Sequence, residues 1–217
     1  MVRVGPAGWS YKDWNGTVYP EPRPADFDEL AFIAARFDCI ELNNTFYRPP
    51  ASRASESWAR RTPDGFVFTA KLWQRMTHEA DDWGEREAAT FRDVPLVVEV
   101  RHVSWAEAPG FFRELGIGWC NVDQPASATS IQGTAHVTSP TAYVRLHGRN
   151  AKAWFSRSAG RDEKYDYLYN EAEIGEWVEK ARRMDAEAER TYVIANNHFR
   201  GQAVENAVQL MLGLKDG

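Results

Sequence analysis

A chain of 217 residues, 43% hydrophobic and 26% charged, is long enough to bury one substantial core without a disulfide or metal staple. Its net charge of −5 excludes a globally basic nucleic-acid binder, so any anion site must be a local patch. No signal-like N-terminus or long apolar run is visible, and a cytoplasmic protein without a membrane partner is expected.

Val2–Gly8 reads as a strand, with Gly5 and Gly8 suggesting close backbone approach, and runs into Trp9, Ser10 and Tyr11. Pro20, Pro22 and Pro24 stiffen the next loop, and Asp26 is the expected cap of a helix carrying Phe27, Leu30, Ile33, Ala34 and Phe37 on one face. Cys39–Asn43 alternates apolar Ile40 and Leu42 with Cys39, Glu41 and Asn43, the period of a strand. Asn44–Arg48 breaks that strand and Pro49-Pro50 bars its continuation. Ser52–Arg61 reads as a helix closed by Pro63 and Gly65. Strands follow at Phe66–Lys71, Leu96–Arg101, Gly118–Asp123, Ala142–His147 and Tyr192–Asn196. Between them lie a helix at Ala108–Leu115 and a long one striped by Ile174, Trp177, Val178, Ala181 and Met184. A terminal helix after Gly201 is striped by Ala203, Val204, Ala207, Val208 and Met211. Cys39 and Cys120 fall in separate strands and read as free core thiols.

Strands alternating with helices predict an α/β fold with a parallel sheet, and about seven strands over residues 1–217 suit a single TIM-type parallel β/α barrel. Strand parity then sorts the side chains. Ile40, Leu42, Val98, Val100, Val122, Val144 and Leu146 face the helices. Arg3, Glu41, Asn43, Lys71, Glu99, Arg101, Asn121, Asp123, Arg145, His147 and Asn196 face inward. Barrel interiors are normally filled with branched apolar residues, so a polar set repeated on most strands points to a site.

The inward set has two layers. Arg3, Glu41, Glu99 and Arg145 lie deep and can neutralise one another as a structural ion network. Glu41 and Glu99 read alternatively as an acid/base pair, with His147 or His102 moving protons and Asp123 as a further candidate catalytic carboxylate. Asn43, Lys71, Arg101, His102, Asp123, His147 and Asn196 lie nearer the C-terminal strand ends, where such folds bind ligands. Asn196, Asn197 and Arg200 open the last helix and, with Arg145 and Arg149, suit a phosphate or another small anion, or a nucleic-acid segment. Trp9, Tyr11, Tyr47, Trp73, Trp105, Trp154 and Tyr165 crowd the same loops and can stack on a sugar or base, or simply pack the loops. The long, aromatic stretch Ala151–Asn170 reads as a lid.

No cofactor is expected. A divalent metal on Glu41, Glu99, Asp123 and His147 is the alternative, opposed by the neighbouring arginines and lysine and by the lack of a metal-ligand spacing. His78 and His136 read as surface loop residues.

The segments GPAGWSYKDWNGTVYP, CIELNNTFYR, TPDGFVFTAK with Thr77–Glu79, VEVRHVSW, YVRLHGRN, YDYLY and NNHFRGQAVENA run in order through nearly the whole chain. In these the sequence resembles the domain-of-unknown-function 72 family, also called YecE-like. The resemblance implies a TIM-type barrel and no settled activity. The family is similar in architecture to the endonuclease IV and sugar isomerase barrels, and that analogy suggests a phosphodiester ligand. Family members usually carry a further helix and strand after the Thr77–Glu79 segment. Here too few residues separate Glu79 from Val94 for a whole βα unit, so a shortened barrel is expected. The expected function is therefore an anion-binding barrel mouth, and a phosphoester hydrolase if it turns over. A non-catalytic binder and a carbohydrate-active barrel are the alternatives.

Overall fold

The computed structural model describes residues 1–78, 93–131, 133–160 and 162–216. All seven predicted strands are present: β1 (Val2–Pro6), β2 (Cys39–Leu42), β3 (Val67–Ala70), β4 (Val97–Val98), β5 (Gly118–Asp123), β6 (Thr141–Leu146) and β7 (Arg190–Ala195). Five form one sheet in the order β1-β7-β6-β5-β4, and β2 pairs with β3; every ladder is parallel. The Ala7–Glu41 bridge, with Gly8 N donating to the Glu41 carbonyl at 2.9 Å, joins the end of β1 to β2. Among the described residues no ladder joins β3 to β4. The shortened stretch after Glu79 lies mostly outside the described residues.

The sheet curls. Tyr143 on β6 donates to Glu41 on β2 at 3.0 Å, and its hydroxyl lies 2.7 Å from Thr69 Oγ1 on β3. Side chains from distant strands therefore meet in one interior. Cys39, Cys120, Val122, Tyr143, Tyr192 and Ile194 form an apolar cluster there, and both cysteines are free. The opposite face packs Val4, Ile40, Val144, Leu146 and Val193 against helices α1 (Glu29–Ala34), α6 (Glu171–Glu187) and α7 (Gln202–Lys215). The other helices are α2 (Ser52–Arg60), α3 (Arg75–His78), α4 (Pro109–Glu114) and α5 (Ala151–Trp154). The predicted stripe Ile174–Met184 of α6 is buried throughout, and Asn170 with Glu173 forms a capping box at its start.

Three expectations are corrected. The cap of α1 is Asp28, not Asp26: its carboxylate accepts from Ala31 N at 3.0 Å and also takes Arg61 Nε at 2.6 Å. The buried stripe of α7 is Ala203, Asn206, Ala207 and Leu210, with Val208 40% exposed. A buried asparagine wins because it donates to the Tyr169 carbonyl at 3.1 Å while its own oxygen takes Tyr169 N at 3.0 Å. The third correction is the parity of β5. Cys120 and Val122 face the interior, whereas Trp119 packs its ring 5.0 Å from Phe112 of α4, so Asn121 and Asp123 face the helical layer. Polar residues survive on that face because loop and helix donors meet them. Asn121 Oδ1 takes His136 N and Thr134 Oγ1, both at 2.8 Å, and its Nδ2 donates to the His136 carbonyl at 2.9 Å.

Candidate functional site

The interior polar cluster is organised by Arg145 on β6. It is 6% exposed and donates through Nη2 to Glu41 Oε1 at 2.8 Å and through Nη1 to Glu99 Oε2. Glu41 Oε2 is occupied by the Tyr143 hydroxyl, so both oxygens of this 3% exposed carboxylate are engaged. Glu99 follows the short β4 and also takes Arg101 Nε at 2.5 Å. Burial pushes Glu99 up, but Arg145, with His147 and Arg101, holds it well below the usual carboxylate range. Arg3, expected in this network, makes no ion pair with Glu41, and its guanidinium lies 6.0 Å from the Tyr192 ring.

His147 is fully buried just past the end of β6. Trp154 of α5 and Tyr165 lie over it, with ring centroids 6.0 and 6.2 Å away, so the stretch read as a lid supplies its cover. Asn196 Nδ2 lies 2.8 Å from Nδ1, and Arg101 Nη2 lies 3.2 Å from Nε2. Both are donors and a neutral ring accepts at one nitrogen only. Nε2 also lies 3.7 Å from Glu99 Oε2. Burial first, and Arg145 second, push the imidazole down to about 3, so it is neutral over the physiological range.

Lys71 directly follows β3 and is half-buried. Among the described residues its amine makes no hydrogen bond or ion pair, because the nearby acids are already taken by Arg145, Arg101 and Tyr143. Burial, then Arg145, lowers its pKa, against the pull of Glu41 and Glu99. Asn43 directly follows β2 and caps the 3-10 turn Asn44–Phe46, and its Oδ1 atom is buried without a hydrogen-bond partner.

Other predicted site residues lie elsewhere. Asp123 faces α6, where it takes Arg149 Nη2 and Trp177 Nε1, both at 2.6 Å. Arg149 is held there by Asp123 and by Glu173 at 3.0 Å, so it is committed to packing the helix. Asp123 is thereby separated from Glu41, Glu99 and His147, which breaks up the set considered for a metal. Among the described residues no group of three or more His, Cys, Asp or Glu is placed to hold one. His102 is exposed and caps a short 3-10 turn through Ser104. Asn197 donates to Asn206 and to the Tyr167 carbonyl, each at 2.8 Å, in the outer layer. Arg200 is exposed in a left-handed conformation (φ 53°), and its backbone N donates to Asp13. Trp9 packs edge-on against Trp58, and Tyr47 is 66% exposed. His136 is half-buried, and the side chain of His78 lies outside the described residues. A groove of about 370 Å³ lined by Met1, Arg3, Phe37, Asp38 and Phe66 sits at the opposite, N-terminal ends of the strands.

The sequence profile of the family described as "Protein of unknown function DUF72" matches residues 3–94 and 85–216. The chain belongs to the DUF72 family. It is similar to the UPF0759 protein YunF of Bacillus subtilis (strain 168), at 25% identity over 268 residues covering 97% of this chain and 94% of that protein. Its structure is similar to the DUF72 protein TM1631 of Thermotoga maritima MSB8, with a TM-score of 0.82, 29% identity and 99% of each chain covered. A DUF72 protein of Enterococcus faecalis V583, EF0366, shares the fold at a TM-score of 0.80 and 24% identity, covering 99% of this chain and 96% of that one.

The two DUF72 matches overlap at residues 85–94, between β3 and β4. The alignment with YunF runs over 268 residues, more than this chain's 217, so the relative carries extra internal sequence. Both observations agree with a family domain shortened at the β3–β4 connection. The flanking strands are its counterpart in space: β3 and β4 are half-exposed or exposed, whereas β2, β5 and β6 are fully buried. Among the described residues no helix is long and apolar enough to cross a membrane.

Sequence reasoning missed Tyr143 as a partner of Glu41 and passed over His198, whose ring stacks 4.6 Å from Tyr11 and lies 5.0 Å from Tyr165. The signal for Tyr143 was available: it precedes Arg145 by two residues, on the same side of β6.

Proposed function

We propose that this DUF72 chain binds a small anionic ligand, of phosphorylated or phosphodiester type, where β3, β4 and β6 end in a sheet that curls toward a shortened TIM-type barrel. One observation carries the reading. Among the described residues of this protein of net charge −5, Lys71, Arg101 and Arg145 gather around Glu41 and Glu99, and the amine of Lys71 is left unpaired. An arriving anion would supply the missing negative charge and favour the Lys71 ammonium. Arg101 is exposed and its guanidinium lies 5.5 Å from the Trp154 ring, so it can meet a ligand from solvent.

Binding is favoured over acid–base hydrolysis at the two glutamates. A single guanidinium spans both carboxylates, and Glu99 is held well below the range that a general acid needs. The same pairing disfavours the glycosidase alternative.

Calorimetric titration with inorganic phosphate and glycerol phosphate tests the proposal. Arg101→Ala is expected to weaken binding by roughly tenfold or more, the range of a hydrogen bond to a charged group. Unchanged affinity in that variant would discard the site.

A further inference from the structure

We propose that Lys71 is a nucleophilic amine that forms an imine with the carbonyl carbon of a small anionic aldehyde or ketone. The inference deepens the anion-site reading, on which its substrate class rests, because Arg101 would take the charged group of the same molecule.

Three observations support it. Lysines placed near acids normally pair with them. Here Glu41 is filled by Arg145 and Tyr143 and Glu99 by Arg145 and Arg101, and Lys71 makes no ion pair among the described residues. The charged groups facing it are Glu41 from β2, Glu99 and Arg101 from the stretch after β4, and Arg145 from β6; burial and the two guanidiniums disfavour its protonated form. An amine desolvated beside other cations gives up its proton more readily than an ordinary lysine, which favours attack on a carbonyl. The third observation is Asn43, the residue after β2 as Lys71 is the residue after β3, with its buried Oδ1 lacking a hydrogen-bond partner. That acceptor can take the hydroxyl of a carbinolamine formed on Nζ.

The step balances without a cofactor. The lone pair of Nζ attacks the carbonyl carbon and a C–N bond forms. The carbonyl oxygen takes up the two hydrogens that the neutral amine gives up and leaves as water, and a C=N bond remains. No oxidant or reductant is consumed. Once protonated, the imine withdraws electrons from the adjacent carbon, so the reactions it serves are loss of an α-proton or cleavage of an adjacent C–C bond.

The test is incubation of the full chain with pyruvate and sodium cyanoborohydride, followed by peptide mass mapping. Lys71 is expected to collect the reduced adduct about tenfold faster than exposed Lys12 and Lys152, and to do so below the pH range of an ordinary lysine. Lys71→Arg, which keeps the charge, is expected to lose that adduct while Lys12 and Lys152 label as before. An adduct no faster at Lys71 than at the exposed lysines overturns the proposal, and this comparison within the native protein holds even if the variant fails to fold. Acetone in place of pyruvate separates the two readings. Preference for pyruvate supports both. Equal labelling of Lys71 by acetone retains the amine and removes the anion site, and phosphate binding without any Lys71 adduct does the reverse.

Discussion

Arg145 determines the state of the residues around it. Its two terminal nitrogens satisfy carboxylates from β2 and from the stretch after β4, and a buried acid left alone is far more costly than the pair is stabilising. Arg145→Met keeps much of the side-chain volume and removes the charge. It is expected to destabilise the fold by about 3–5 kcal/mol in urea unfolding, because Glu41 stays buried with only Tyr143 to meet it. Glu41 itself began as a candidate catalytic carboxylate. Its full complement of donors makes it an anchor for the interior, and the more available groups are its neighbours Asn43 and Lys71.

At the scale of the element, β2 is held to β1 by close approach rather than by a full ladder. A Cβ on Gly5 would fall 1.9 Å from the Cys39 carbonyl oxygen, which is backbone and cannot rotate away. Gly5→Ala is therefore expected to lower stability by about 1–3 kcal/mol, an overpacking cost measurable as a shift in the urea midpoint. Gly65→Ala meets no neighbouring atom within 4 Å, but its φ of 81° makes it a control for backbone strain alone. The parity of β5 also belongs to this scale. Polar alternation alone points Asn121 and Asp123 at a site, yet they pair with His136 and Trp177, partners outside the strand that no local pattern identifies.

For the whole molecule, the buried groups make global stability depend on pH. His147 has a folded value of about 3 against an ordinary 6.5, so below 6.5 the unfolded chain gains a proton that the native state refuses. Its contribution is complete above 6.5 and drains away as pH falls toward about 3. Glu99, also depressed, adds loss of stability only below its ordinary 4.5. Between 6.5 and 4.5 the urea midpoint should thus fall with pH, and His147→Asn should flatten that slope. His136 is lowered by burial and acts in the same direction, so a residual slope in the variant is expected.

The sequence by itself determined the seven strands, the buried stripe of α6, the free cysteines and the DUF72 membership. Each depends on local periodicity or on collinear motifs. It also marked Glu41, Glu99, Arg101, Arg145, His147 and Asn196 as inward-facing, since alternation within one strand places them. Only the tertiary structure decided which charges pair. It put Arg145 rather than Arg3 against Glu41, turned Asp123 toward α6, and left Lys71 without a carboxylate among the described residues. The physical reason is that parity assigns a face, whereas pairing depends on how strands far apart in the chain curl toward one another and on which donors arrive there first.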